Sequence, residues 1–235
     1  MRPIIVVSDL HLDAVSSGVP RFEDVRRALR QSVERAKQLE AIWMCLGDVT
    51  DPGVRSYRAI AEAIEVAREL DKAGVSNLWL AGNHDVVEDG RGTTTLSPLK
   101  AAELPFTAVA DRPSVAHFDR ELSVLCLPYV PSAVAYDPAE AVGRLAPELR
   151  HSRRLVVGHL DHEDAAHGSE SGEMAKGRPV FWPTDALREH LPDALLLGGH
   201  LHRRQVIGDV QIVGSLERLA FDEEHNQPGY LQIEM

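Results

Sequence analysis

The chain has 235 residues, 44% of them hydrophobic, and a formal net charge of −11. That length and apolar content allow one large domain or two small ones around a sizeable core. The acidic balance argues against a free-standing, non-specific duplex-DNA binder, because such binding rests on neutralising phosphates. No segment approaches the ~20 apolar residues of a membrane span. The N-terminus has one Arg and a short apolar run, too short for a signal peptide. Cys45 and Cys126 are the only cysteines. Cys45 falls inside a predicted strand, which argues against a disulfide and fits a reducing, cytoplasmic compartment.

In chain order, Ile4-Ile5-Val6-Val7 predicts a buried strand. Phe22, Val25, Leu29, Val33, Ala36 and Leu39 recur every three or four residues, which predicts an amphipathic helix over about 22–40. A strand follows at Ile42–Leu46. A second helix carries Tyr57, Ile60, Ile64, Ala67 and Leu70 and ends at Gly74. With the strand Leu78–Ala81, these helices read as crossovers of a largely parallel sheet. Ser97-Pro98 opens a short third helix with Pro at its first position. Val115–Phe118 and Leu122–Leu127 flank Asp119-Arg120-Glu121 as a hairpin. Residues 138–150 read as helical, and Leu155–Val157 as a strand. The polar stretch 162–183 predicts a long loop across the mouth of a site. Leu195–Leu197, Gln205–Ile207, Gln211–Val213 and Tyr230–Ile233 close the chain as short strands. There is no internal repeat or low-complexity linker, so residues 1–235 read as a single domain.

At five of these strand exits a short apolar run gives way to Gly, Ser or Ala and then to metal-ligand residues. The first is Ser8-Asp9-Leu10-His11, followed by Gly47-Asp48 and by Gly82-Asn83-His84-Asp85. Gly158-His159 and Gly198-Gly199-His200-Leu201-His202 complete the set. Side chains placed just past strand ends converge at the carboxyl edge of a sheet. Asp9, His11, Asp48, Asn83, His159, His200 and His202 are seven oxygen or nitrogen ligands without a thiolate. They suffice for two metals if one carboxylate bridges, and Asp48, alone on its strand, is the natural bridge. The mixed set suits Mn, Fe, Zn or Ni rather than Ca or an iron–sulfur cluster. Two such ions clamp a phosphate and acidify a shared water. His84, next to Asn83, is placed to act on the leaving oxygen as proton donor or polariser, and Asp85 to orient its imidazole.

In this order, Ser-Asp-Leu-His, Gly-Asp, Gly-Asn-His-Asp, Gly-His and Gly-Gly-His-Leu-His resemble the calcineurin-like metallophosphoesterase superfamily. The tail, His200–Val206, Val213–Glu224 and Gly229-Tyr230-Leu231, resembles its SbcD branch, the bacterial double-strand-break-repair nuclease subunit. The likeness spans nearly the whole chain as the catalytic core of that branch. It implies a four-layer α/β/β/α sandwich with two mixed sheets, two divalent ions, usually manganese, and cleavage of phosphodiester bonds in DNA. By matching positions, Asp9, His11, Asp48 and His202 would hold one metal, and Asp48, Asn83, His159 and His200 the other. His84 takes the catalytic histidine position. The branch also implies an SbcC-like ATPase partner. Its C-terminal capping and ATPase-binding domains are not expected within residues 1–235. Without that cap, single-stranded DNA or DNA ends are one expected substrate, and cyclic nucleotides or other small phosphodiesters the alternative. A non-catalytic scaffold on this fold would be expected to have lost ligands that this chain keeps.

Other residues carry plainer expectations. Asn83 and Arg203 are candidates for touching substrate, and either Arg203 or Arg204 could meet a phosphate or simply be solvated. His162, Asp164 and His167 read as a solvated loop or as substrate contacts. Arg218 reads as an ion-pair residue, and Asp222-Glu223-Glu224 as an exposed acidic turn. Trp43 and Trp79 read as core, while Trp182, in the long polar segment, is either loop or a platform for a base.

Overall fold

The computed structural model describes residues 2–51, 56–87, 89, 91–130, 134–165 and 180–234. The first half alternates strand and helix. β1 (Ile4–Val7) is followed by a small hairpin, β2 (Val15–Ser16) and β3 (Val19–Pro20). Then come α1 (Phe22–Gln38), β4 (Ile42–Cys45), α2 (Tyr57–Lys72) and β5 (Asn77–Leu80). The Ser56 side chain caps α2 by accepting from the Ala59 amide. Past a short ladder, β6 (Val86–Val87) and β7 (Thr93–Thr94), lie α3 (Ser97–Ala101) and β8 (Thr107–Ala110). The second half holds β9 (Ser114–Phe118), β10 (Leu122–Leu127), α4 (Pro138–Leu145), β11 (Arg153–Gly158), α5 (Thr184–His190) and β12 (Leu195–Gly198). β13 (Gln205–Ile207), β14 (Val210–Ile212) and β15 (Leu231–Ile233) close it.

Two mixed sheets result. One has the order β15-β1-β4-β5-β8, the other β13-β14-β12-β11-β10-β9. In the first, β1, β4, β5 and β8 are parallel and β15 runs antiparallel to β1. In the second, β10, β11, β12 and β14 are parallel, and β9 and β13 are antiparallel edges.

The side-chain alternation of a strand sets the layers. Ile5 and Val7 face a core shared with Val25 and Leu29 of α1 and Val66 of α2. Ile4 and Val6 face the other way, onto Val124, Leu155, Val157 and Leu197 of the second sheet. The far side of that sheet, with Leu125, Val156 and Leu196, packs on Val142 and Leu145 of α4 and Leu187 of α5. The order is therefore helix, sheet, sheet, helix, as expected. The strands that carry both faces are buried throughout, which is why they read as continuous apolar runs. No helix among the described residues is long and apolar enough to cross a membrane.

Three sequence expectations are corrected by packing. Trp182 is 5% exposed and sits in the core with Leu125, Val156 and Leu196. Its ring lies against Gly158, where an added Cβ would come within 2.9 Å of it, so Trp182 fills the core and offers no surface to a base. His162 is buried, and its Nδ1 accepts from the Asp164 amide, so His162 departs from the solvated-loop reading, while Asp164 is exposed in keeping with it. The Arg218 guanidinium donates to the Asn226 carbonyl, tying its side chain to backbone and leaving the ion pair in that region to Arg21 and Glu217. Most of the anticipated 162–183 loop, including His167, lies outside the described residues. Its two ends are joined, with the Asp161 amide donating to the Val180 carbonyl and the Trp182 amide to Asp161.

Candidate metal centre

The carboxyl ends of β1, β4, β5, β11 and β12 open on the same point, and backbone hydrogen bonds carry the pairing past the strands. The Asp9 amide donates to the Gly47 carbonyl, His11 to Asp48, and Leu12 to Val49. On the other sheet His159 donates to Leu127 and Gly199 to Gly158. The turns that aim the side chains inward are tight. Asp9, His11, Asp48 and His200 all have φ between 42° and 80°. Left-handed backbone at a non-glycine residue costs of order 1–3 kcal/mol and persists only where its surroundings dictate it. Here the ladder bonds dictate it. The glycines beside the ligands meet a different demand, which is space. A Cβ at Gly82 would overlap Asp48 Oδ1, and one at Gly199 would overlap the Leu46 carbonyl and Ser8 Oγ.

The predicted ligands gather into two overlapping groups. Donor atoms of Asp9, His11 and His202 lie within 4.8 Å of one another, and so do those of Asp48, His159 and His200. His11, Asp48 and His84 form a third, linking set. Asn83 Oδ1 completes the second group, at 2.9 Å from His159 Nε2 and 3.0 Å from His200 Nδ1. Asp48 Oδ2 is 3.2 Å from His159 Nε2 and 3.7 Å from His11 Nε2, so this one carboxylate faces both groups. Its other oxygen accepts from the His84 amide at 2.9 Å. Asp9 Oδ1 accepts from the His200 amide at 3.0 Å.

The outer nitrogens fix which way the rings point. His159 Nδ1 lies 2.7 Å from the Leu46 carbonyl, which can only accept, so Nδ1 carries the hydrogen and Nε2 turns a lone pair inward. His202 Nδ1 lies 2.6 Å from Glu223 Oε1, and its Nε2 faces His11 Nε2 at 3.2 Å. Asp9 Oδ2 and His11 Nδ1 are buried with no hydrogen-bond partner among the described residues. A buried polar atom left this way costs about 1–3 kcal/mol unless something else satisfies it. An inward-facing array of imidazole nitrogens, two carboxylates and an amide oxygen fits divalent cations of the first transition row.

The electrostatics agree. Burial raises the Asp9 carboxyl to about 6, against the pull of His159 and His202. Burial would also raise Asp48, but His159, His84 and His11 outweigh it and hold Asp48 well below the usual carboxylate range. His159 is disfavoured as a cation by burial, yet Asp48 and Asp9 bring it up to about 9. Burial and the neighbouring His159 drop His200 to about 3. The inner spot thus draws positive charge.

His84 is 8% exposed and reaches the cleft with its ring 4.7 Å from that of His11. Asp85 does not have the expected role of orienting it. The Asp85 carboxylate accepts from the amides of Val49, Thr50 and Gly82 and from the Thr95 hydroxyl, which locks the two ligand loops together. Arg204 is likewise structural, donating to the carbonyls of Val213 and Gly229. Arg203 is exposed and does not line the cleft. Glu223 is the main residue missed from sequence. It is 1% exposed, not part of an exposed turn, and its carboxylate sits directly behind His202. Nothing local distinguishes it from Asp222 and Glu224, because only the tertiary fold brings it there.

The cleft holds about 140 Å³ and is lined by the polar residues His11, Asp48, Asp51, Asn83, His84, His200 and His202 together with Ala14, Val15, Ser16 and Leu219. No Lys or Arg is among the described residues that line it.

Two solved structures of a cold-active protein-tyrosine phosphatase are similar to the chain. One comes from a psychrophilic Shewanella species, with 13% identity and a TM-score of 0.43 over 100% of this chain and 76% of that one. The other is a point mutant of such an enzyme, with 13% identity and a TM-score of 0.44 over the same shares. No curated protein matches. A family model, calcineurin-like phosphoesterase, matches residues 2–204, and the chain belongs to that family.

Proposed function

We propose that this protein is a two-metal phosphodiesterase acting on single-stranded DNA or DNA ends in the manner of the SbcD-type nucleases. Calcineurin-like phosphoesterases are metal-dependent hydrolases of phosphoesters. The observation that carries the reading is the Asp48 carboxylate standing between two complete donor groups. Asp9, His11, Asp48 and His202 would hold one ion, and Asp48, Asn83, His159 and His200 the other, with manganese as the proposed metal. When bound, the ions supply Lewis acidity, polarising the phosphoryl group and lowering the pKa of a water. The chain does the rest. The left-handed turns and the ladder bonds hold the donors in place before substrate arrives. His84 faces the cleft beside Asp48, where its ring N–H can pass a proton to the departing oxygen. Asn83 is set to touch both ion and phosphate, while Arg203, outside the cleft wall, is left to a phosphate further along a strand.

Among the described residues no Lys or Arg lines the cleft, which limits the footprint. Affinity for a polyanion needs a basic residue for each phosphate contact, and the net charge of −11 repels it at long range. Single strands enter a cleft without melting, so they are favoured over intact duplex, for which an SbcC-like ATPase partner would supply the binding surface. A second reading, hydrolysis of small phosphodiesters, draws on the cleft's 140 Å³. The deciding assay gives the chain Mn²⁺ and four substrates: single-stranded DNA, blunt duplex, a nitrophenyl phosphodiester and a nitrophenyl phosphomonoester. DNA turnover should fall steeply between roughly 50 and 200 mM salt, while nitrophenyl diester turnover changes little. Monoester turnover without diester turnover would defeat the proposal. Salt-resistant degradation of blunt duplex would defeat the short footprint.

A further inference from the structure

Behind the cleft, the 3₁₀ turn Phe221–Glu223 divides its side chains sharply. Phe221 is 83% exposed and Glu223 1%. The two Glu223 oxygens have separate partners. Oε1 lies 2.6 Å from His202 Nδ1, and Oε2 accepts from the Leu219 amide at 2.7 Å. Leu219 lines the cleft, and its carbonyl accepts from Ser16 Oγ on the β2–β3 hairpin. One buried carboxylate thus touches both a donor of the candidate centre and a residue that lines its cleft.

From this geometry we infer that Glu223 is a positioning residue. It holds the hydrogen of His202 on Nδ1, turns Nε2 toward Asp9 and His11, and fixes Leu219 against the cleft in the same act. The inference rests on the two-metal reading for its consequence, but the contact itself is independent of any ion. A carboxylate only accepts. His202 can therefore donate to Glu223 only through Nδ1–H, which leaves the Nε2 lone pair inward. Two donors, an imidazole N–H and a peptide N–H, converge on the site, and both need an acceptor. A carboxylate offers two. An amide offers one and presents its NH₂ group to the other donor. The sequence run Asp222-Glu223-Glu224 thus supplies the one residue type that satisfies both donors at once. A carboxylate behind a ligating imidazole fixes its tautomer and orientation, and losing such a partner costs about 10–100-fold in metal affinity or activity.

Two readouts on the full chain test this, with Glu223→Ala and Glu223→Gln. Long-range ¹H–¹⁵N spectra of the metal-free chain report which His202 nitrogen carries the hydrogen. The parent should show it on Nδ1, and Glu223→Ala should show a mixture. Calorimetric titration with Mn²⁺ alone should show one of two sites weakened about 10–100-fold in Glu223→Ala. The other site should be unchanged, and Glu223→Gln should be intermediate. Should Glu223→Ala fail to fold, Glu223→Gln carries both measurements. A parent that takes up two Mn²⁺, with variants matching it in both tautomer and affinity, overturns the inference alone. A parent that takes up no Mn²⁺ overturns the metal reading, and the tautomer in the metal-free parent and Glu223→Ala then decides the positioning role alone: a changed tautomer supports it and an unchanged one overturns it.

Discussion

Asp48 and His84 are joined by one hydrogen bond, from the His84 amide to Asp48 Oδ1, yet mutation should separate them. Asp48→Ala removes the carboxylate that faces both donor groups, so elemental analysis should find less than the full pair of ions and activity should vanish. His84→Ala leaves all seven candidate ligands in place and keeps the backbone amide. It should retain both ions and lose about 10²–10⁴ in rate, the usual worth of a positioned proton donor. That loss should shrink for a nitrophenolate leaving group, which needs less protonation. Equal losses on good and poor leaving groups would show instead that His84 positions the phosphate. At this scale the sequence was readable where a ligand follows an apolar run and a glycine. It was not readable where burial alone gives a residue its role. Glu223 lies among three consecutive acids, and Trp182 follows a polar stretch. Both look exposed to any local rule and both are buried.

At the scale of elements, α1 and α2 were legible from their periodicity, and the hairpin of β9 and β10 from its turn. β8 was not, because only Ala110 of its four residues is buried and its apolar residues, Ala108, Val109 and Ala110, are small. It pairs along β5 and is held as a strand by its neighbour rather than by its own composition. The same distinction between intrinsic and borrowed order applies to the polar seam between α1 and α2. Arg30 reaches Glu62 and Glu69, and Lys37 donates to Glu69 at 2.8 Å. The Lys37 hydrogen bond, against the cost of burial and with help from Arg30, lowers the Glu69 pKa below its ordinary 4.5. A carboxylate depressed in the folded state stabilises above its unfolded pKa, and that contribution is lost as pH falls through the folded value. The melting temperature of Glu69→Gln should therefore lie below that of the parent near neutral pH. The two should converge as pH falls through the ordinary carboxylate value of 4.5 and on through the lower folded-state value. A constant gap across that range would show that Glu69 acts through packing.

Across the whole molecule, the two sheets meet through an apolar layer, and the candidate ligands are divided between them. Asp9, His11, Asp48 and Asn83 follow strands of one sheet, and His159, His200 and His202 follow strands of the other. Any ligand that binds only the folded state stabilises it by mass action, by about 2.7 kcal/mol at a hundredfold excess over its dissociation constant. For a chain of this length that corresponds to a rise in melting temperature of about 5–10 °C. Chelation should reverse it, and a melt unaffected by Mn²⁺ or chelator would argue against tight binding. The divided donor set also bears on how the molecule opens. Ions held by both sheets would act as rivets across the seam, so the sheets should exchange their core amides with solvent as one cooperative block. Once the rivets are drawn, the seam is held by side-chain packing and by a few hydrogen bonds, such as those from the His200 amide to Asp9 and from His159 to the Leu46 carbonyl. The β13–β14 ribbon and its neighbours should then gain a route to exchange separately from β1 and β4, and mass spectrometry of deuterium uptake with and without chelator would show the block divide in two.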